Sequence, residues 1–348
     1  MLKVDHLYHH PDVFQLESGG QLPGFQLKYT TLGQLNKDGS NVVWVCHALT
    51  GSSDFTSWWP DLFTEDSPFN PRDHFIICAN AIGSCYGSTG PLSIHPETGE
   101  PFYHRFPLIT NRDVVNAFDL LRQELKINRI HTAIGGSLGG QQVLEWAIAQ
   151  PEVFENIVPI ACTATLSPWV IAFNETQRMA IAADPTWKEN DERAGREGMK
   201  VARAIAMISF RTYETYSHTQ AEKNGEKLDD YRASSYQRYQ GEKLANRFNA
   251  YSYWTLSKMM DNHHVGRGRG SAQEALQQIQ AKALVIGIDS DVLFPLADQR
   301  FIAENIPGSK LKEISSIYGH DGFLVESAIL KKTVRDFYRQ EEELELKK

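Results

Sequence analysis

The chain has 348 residues, 41% hydrophobic and 22% charged, an ordinary globular composition for one large domain or one domain with an inserted subdomain. A formal net charge of −8 argues against a general nucleic-acid or anionic-membrane surface, and no uninterrupted apolar run approaches the roughly 20 residues of a membrane span. The opening MLKVDHLYHHPDVF lacks an apolar core of signal-peptide length, and Cys46, Cys78, Cys85 and Cys162 show no C-x-x-C spacing. They read as reduced, buried thiols, so the expected setting is cytoplasmic.

In chain order, VVWVC (42–46) and HFIICA (74–79) are strands apolar on both faces, as buried parallel strands must be. DVVNAFDLLRQEL (113–125) has helical periodicity, HTAIGG (131–136) is a strand, 141–149 a helix and IVPIA (157–161) a strand. The alternation then stops. Between about 166 and 265 the chain is rich in charge, Tyr, Ala and Arg, and WKENDERAGREGMKVARAIAMISFRTYETY reads as helices. ALVIGI (283–288) resumes the pattern, followed by helical DQRFIAEN (298–305), a short strand in LKEISS and a helix after Phe323. This order predicts an α/β fold, a mostly parallel sheet with helices on both faces. Residues 1–165 and 266–348 form its core. An all-helical lid, 166–265, lies over the sheet's carboxyl edge, where ligands bind in such sheets.

Gly135-Gly136-Ser137-Leu138-Gly139 fits G-x-S-x-G, with a strand before it and a helix after it, the context in which this turn presents a nucleophilic serine. The competing reading is an anion-binding turn at a helix N-terminus. Against it, the dinucleotide fingerprint is absent and this strand is not the first of the sheet. A serine hydroxyl needs a base, and the base an orienting carboxylate. Of twelve histidines, His320 in SSIYGHDGFLVE sits where the base of such a fold belongs, while His263-His264 falls in the helical stretch and reads as surface or lid structure. The acid should follow ALVIGI. Asp298 lies inside the next helical pattern and reads as solvated; Asp291 is only modestly favoured over Asp289 by spacing. Oxyanion donors are expected from the Leu138 N–H and from the loop after VVWVC, at Leu49, with Thr50 facing substrate. His47 precedes the nucleophile, so an oxyanion-loop or structural role is preferred to that of base.

HALTG (47–51), CYGSTGP (85–91), GGSLGGQQVLEWA (135–147), SDVLFP (290–295) and YGHDGFLVE (318–326) together, in this order, resemble homoserine O-acetyltransferases. RFNAYSYWTLSKMMD (247–261) and VGRGRGS (265–271) are similar to that family's lid-to-core connection, and the resemblance runs from about residue 15 to 335. It implies an α/β-hydrolase fold and a place in methionine biosynthesis, with Asp291 as the acid. It implies ping-pong transfer from acetyl-CoA, through an acyl-Ser137, to the hydroxyl of L-homoserine. Arg211 matches the position taken to bind the acceptor carboxylate, and Asp321 that for its ammonium. A homodimer through the lids is implied, with acetyl-CoA as co-substrate and no metal or other cofactor. One departure stands out: the family often continues HALTG with D-[SA]-H, and here the loop reads HALTGSSDFTSWWP. Succinyl transfer, or serine as acceptor, therefore stays open; a succinyl pocket would want a cation near Thr50, and none is identifiable in the sequence. An esterase or thioesterase using the same three residues is the other class, and it predicts a wetter site with no amino-acid acceptor.

Overall fold

The computed structural model describes residues 2–346. The chain opens with β1 (Val4–His10), a small hairpin of β2 (Phe14–Gln15) and β3 (Gln21–Leu22), and β4 (Phe25–Leu32). There follow β5 (Val42–Cys46), β6 (Phe75–Ala79), α1 (Asn111–Glu124), β7 (Ile130–Gly136), α2 (Leu138–Ala149) and β8 (Phe154–Ile160). Five helices come next: α3 (Pro168–Ala182), α4 (Arg196–Phe210), α5 (Tyr213–Thr219), α6 (Arg232–Ala245) and α7 (Ala250–Asp261). The last part holds α8 (Ala272–Leu276), β9 (Lys282–Ile288), α9 (Leu296–Asn305), β10 (Lys310–Ile314), α10 (Gly322–Val325) and α11 (Ser327–Glu345).

Eight strands form one sheet in the order β1-β4-β6-β5-β7-β8-β9-β10. The six from β6 to β10 are parallel, and β4 and β1 add an antiparallel edge. Each parallel strand is buried on both faces because each face has its own apolar layer. Along β5, Val42, Trp44 and Cys46 join the layer containing Phe118 of α1 and Trp146 of α2. Val43 and Val45 join the opposite layer, with Val334 and Phe337 of α11. Period-2 alternation of strand side chains divides one continuous apolar run between two cores.

Strand order here brings the turns after β5, β7, β9 and β10 to one edge. The helices α3 to α7 leave the sheet after β8 and return before β9. Their two ends are joined as a neck: Leu166 N–H donates to the His263 carbonyl at 3.0 Å, and Val265 N–H to that of Ala164 at 3.0 Å. Beyond the neck, the arginines of GRGRG tie this connection to the core. Arg269 pairs with Glu145 (2.6 Å) and Arg267 with Glu17 (2.9 Å), while Arg112 of α1 bridges both acids. His263 corrects the surface reading: it is buried in the neck, one ring nitrogen 2.9 Å from the Thr163 carbonyl and the other 3.2 Å from the Asn111 side chain. Burial lowers it to about 3, so it stays neutral. Among the described residues no helix is long and apolar enough to cross a membrane.

Candidate active site

Ser137 stands between β7 and α2 with φ 56° and ψ −124°, a left-handed conformation that costs a non-glycine residue roughly 1–3 kcal/mol. The surrounding packing holds it there, and that packing accounts for the glycines. A Cβ on Gly139 would lie 2.1 Å from the Cys46 carbonyl oxygen, and one on Gly136 2.3 Å from the Phe323 ring. The turn is thus pressed against the end of β5 on one side and the helix after His320 on the other. Ser137 N–H donates to the Ile160 carbonyl at 2.9 Å, which fixes the backbone of the serine to the neighbouring strand.

Three side chains from separate turns meet here. His320 Nε2 lies 2.9 Å from Ser137 Oγ, and its Nδ1 2.7 Å from Asp291 Oδ2. The other oxygen of Asp291 accepts from the N–H groups of Leu293 (2.8 Å) and Phe294 (2.9 Å), so the carboxylate is held by backbone before it meets the imidazole. With Asp291 accepting, Nδ1 carries the proton and Nε2 is free to take one from the serine. The rings of Phe210, Phe294 and Phe323 surround the imidazole at centroid distances of 5.2–5.7 Å. Asp289, left open by spacing, accepts instead from Ser316 N–H at 3.1 Å and ties β9 to the turn after β10. Asp298 is not the solvated residue its helical position suggested. It is half-buried, and burial pushes its carboxyl up to about 6 against a hydrogen bond from Thr163, with the charge of Asp291 adding to the rise.

Leu49 and Leu138 both line the turns at Ser137 with their N–H groups unclaimed: among the described residues neither donates to a protein acceptor. His47 is buried. Its Nε2 accepts the Ala81 N–H at 3.0 Å and its Nδ1 lies 2.8 Å from the Ala48 carbonyl, which together require the Nδ1–H tautomer. Burial lowers its pKa, only partly offset by the bond to Ala48.

A cavity of about 510 Å³ opens above Ser137 and His320, and Thr50, Trp58 and Asp321 line it. Arg211 does not. It follows the last turn of α4 in extended conformation (φ −118°, ψ 158°), and its Nε donates to Asp321 Oδ2 at 2.7 Å from outside the cavity wall. Burial alone would lower this guanidinium; the Asp321 charge outweighs it and the net direction is up. Arg203, a residue the sequence reading passed over, does put its guanidinium on the wall. It lies 5.3 Å from the Phe210 ring centroid, and among the described residues no carboxylate pairs with it. Burial presses it below its ordinary value, although the charge of Asp321 pulls the other way. Helical register carried the signal: residues seven apart share a face, so Arg203 and Phe210 point together while Arg211 does not. Arg247 also reaches the wall, donating to the Thr50 carbonyl at 2.7 Å. Among the described residues no group of three or more His, Cys, Asp or Glu side chains could hold a metal ion.

Three comparisons bear on this site. A family model described as the alpha/beta hydrolase fold matches residues 41–327. A homoserine O-acetyltransferase of Cyclobacterium marinum is 51% identical over 95% of this chain and 94% of its own length. Among solved structures, homoserine O-acetyltransferase from Bacillus anthracis superposes with a TM-score of 0.90 (22% identity, 97% of this chain, 98% of that one). Esterase E22 does so with 0.88 (21% identity, 97% and 100%). At those identities the superpositions speak for the fold alone, and the fold is shared by transferases and esterases. The sequence relative decides further, because half its residues are matched along nearly the whole of both chains: the chain belongs to the homoserine O-acetyltransferase family, within the α/β-hydrolase fold.

Proposed function

We infer that this protein transfers an acetyl group from acetyl-CoA to the side-chain hydroxyl of L-homoserine, by way of an acyl-enzyme on Ser137. The observation that carries this beyond hydrolysis is a pair of opposite charges, Arg203 and Asp321, on the wall of the cavity that Ser137 and His320 also line. An ester needs no such pair. A zwitterionic amino acid needs both members, one for its carboxylate and one for its ammonium.

The steps follow from the distances. His320 Nε2 takes the serine proton as Oγ attacks the thioester carbonyl, and Asp291 stabilises the imidazolium. The oxyanion accepts from Leu49 and Leu138 N–H, each donor contributing about 3–4 kcal/mol to the transition state. The C–S bond breaks, and His320 returns its proton to the departing CoA thiolate. Homoserine then enters with its carboxylate on Arg203 and its ammonium on the free oxygen of Asp321. Its hydroxyl gives its proton to His320 and attacks the acyl carbon, and the Ser137–acyl bond breaks as Oγ recovers the proton. In this scheme Arg211 holds Asp321 in place and does not touch the substrate, a revision of its expected role. Arg247 brings to Thr50 the cation that the sequence did not reveal. Its Nη1 is engaged by the Thr50 carbonyl and the Tyr86 hydroxyl.

The same reading includes a cytoplasmic setting, in keeping with four free thiols, and a homodimer. Val201 and Ile208, seven apart on α4, are 53% and 60% exposed and form an apolar stripe suited to a second copy. The direct test is release of free thiol from acetyl-CoA that depends on L-homoserine and is absent in Ser137→Ala. Parallel assays with succinyl-CoA and with L-serine give the donor and acceptor. Thiol release at the same rate without any acceptor would make the protein a thioesterase instead.

A further inference from the structure

The loop that offers Leu49 N–H is held at two points, and only one lies in the core. Gly51 N–H donates to the Ala48 carbonyl at 2.8 Å, closing a turn with Leu49 and Thr50 at its tip. Every peptide bond in the described chain is trans, so the C=O and N–H of one peptide point in opposite directions. The Ala48 carbonyl is gripped by Gly51 N–H and by His47 Nδ1, and the Leu49 N–H of the same peptide is therefore turned away from both. The next link follows the same rule. Gly51 N–H shares its peptide with the Thr50 carbonyl, and that carbonyl is held from the other side by Arg247 Nη1 at 2.7 Å.

Arg247 lies between α6 and α7, in the helical insertion. The same nitrogen reaches the Tyr86 hydroxyl, and Phe248 packs edge-on against the Tyr86 ring at 5.7 Å. The Arg247 carbonyl in turn accepts from Cys85 Sγ at 3.8 Å. Guanidinium to Thr50 C=O, Gly51 N–H to Ala48 C=O, and Leu49 N–H to the acyl oxygen form one series through two peptides.

We propose that Arg247 is a positioning residue for acylation, through which the helical insertion holds the oxyanion loop of the core in its donor geometry. The proposal rests on Ser137 being the nucleophile. A guanidinium at the cavity wall could instead bind the phosphates of CoA, and the two roles separate cleanly. Acylation of Ser137 by p-nitrophenyl acetate needs the oxyanion donors but involves no phosphate. In pre-steady-state measurements on the full-length protein, Arg247→Ala should slow acylation by about 10–100-fold with p-nitrophenyl acetate and with acetyl-CoA alike. KM for homoserine should stay within about threefold. Arg247→Lys and added guanidinium ion should each recover part of the rate, which a misfolded variant would not allow. A loss confined to acetyl-CoA, or an unchanged acylation rate, overturns the proposal. Wild-type protein that is acylated by the ester at Ser137 yet never acetylates homoserine would sink the functional reading and leave this test intact.

Discussion

The two walls of the cavity are fastened by different means. On the sheet side, main-chain bonds hold the side chains that meet at the cavity floor: Asp291 by two N–H donors, Ser137 by the Ile160 carbonyl, and His47, at the start of the loop beside them, by Ala81 N–H. On the helical side, side chains hold one another, as in Arg211 on Asp321 and Arg203 against Phe210. Backbone anchoring leaves little freedom for adjustment, while long side chains can re-seat. On the proposed mechanism the reacting side chains sit on the rigid wall and the guanidinium for the acceptor on the adjustable one, and the two should fail differently when cut.

The sharpest contrast is between Ser137 or His320 and everything opposite them. Ser137→Ala should abolish thiol release, and His320→Ala should slow both half-reactions by at least ~10³-fold; near-normal turnover in either would remove it from the chemistry. Arg203→Ala should leave acylation by acetyl-CoA within a few-fold while lowering kcat/KM for homoserine by ~10²-fold or more. If the acylation step falls equally, the division between walls is wrong. Arg211→Ala should show the same acceptor-specific pattern but only about tenfold, because it works through Asp321. Gly139→Ala tests the rigid wall by stability: a Cβ 2.1 Å from a carbonyl oxygen cannot be accommodated without moving β5. A loss of at least ~2 kcal/mol is expected in denaturant unfolding.

The smallest effect concerns Asp298. Its folded pKa of about 6 lies above the ordinary carboxyl value, so the folded state holds the proton more tightly than the unfolded chain. That contribution to stability is full below about pH 4 and is lost as pH rises through 6. Asp298→Asn should raise Tm by about 1–3 °C at pH 8 and leave it unchanged at pH 4; equal shifts at both would show that ionisation is not the cause.

The same division explains what could be read in advance. The strands β5 to β9 are continuous apolar runs, and the turns after β5, β7, β9 and β10 carry short motifs whose neighbours in sequence are also neighbours in space. β1 and β4 escaped notice because they form the antiparallel edge. The side chains of β1 alternate between exposed and half-buried, so no run of β-branched apolar residues marks it. Arg203 escaped because VARAIAMISFRT holds two arginines eight apart, and only knowledge of where α4 ends tells which one faces the cavity. His263 was misjudged for a related reason. It follows the last helix of the insertion and looks like part of it, but the neck it fills is made by residues a hundred positions apart in sequence.

That neck has a consequence for how such enzymes diversify. The backbone between Leu166 and His263 leaves and rejoins the core at points one hydrogen bond apart. The entropy of closing a loop grows only slowly with its length, so the sheet is nearly indifferent to how many helices hang there, or which. A new acceptor site can be acquired by exchanging this cassette at two adjacent seams with the strand register inherited untouched, so long as the new one keeps a hold like that of Arg247 on Thr50.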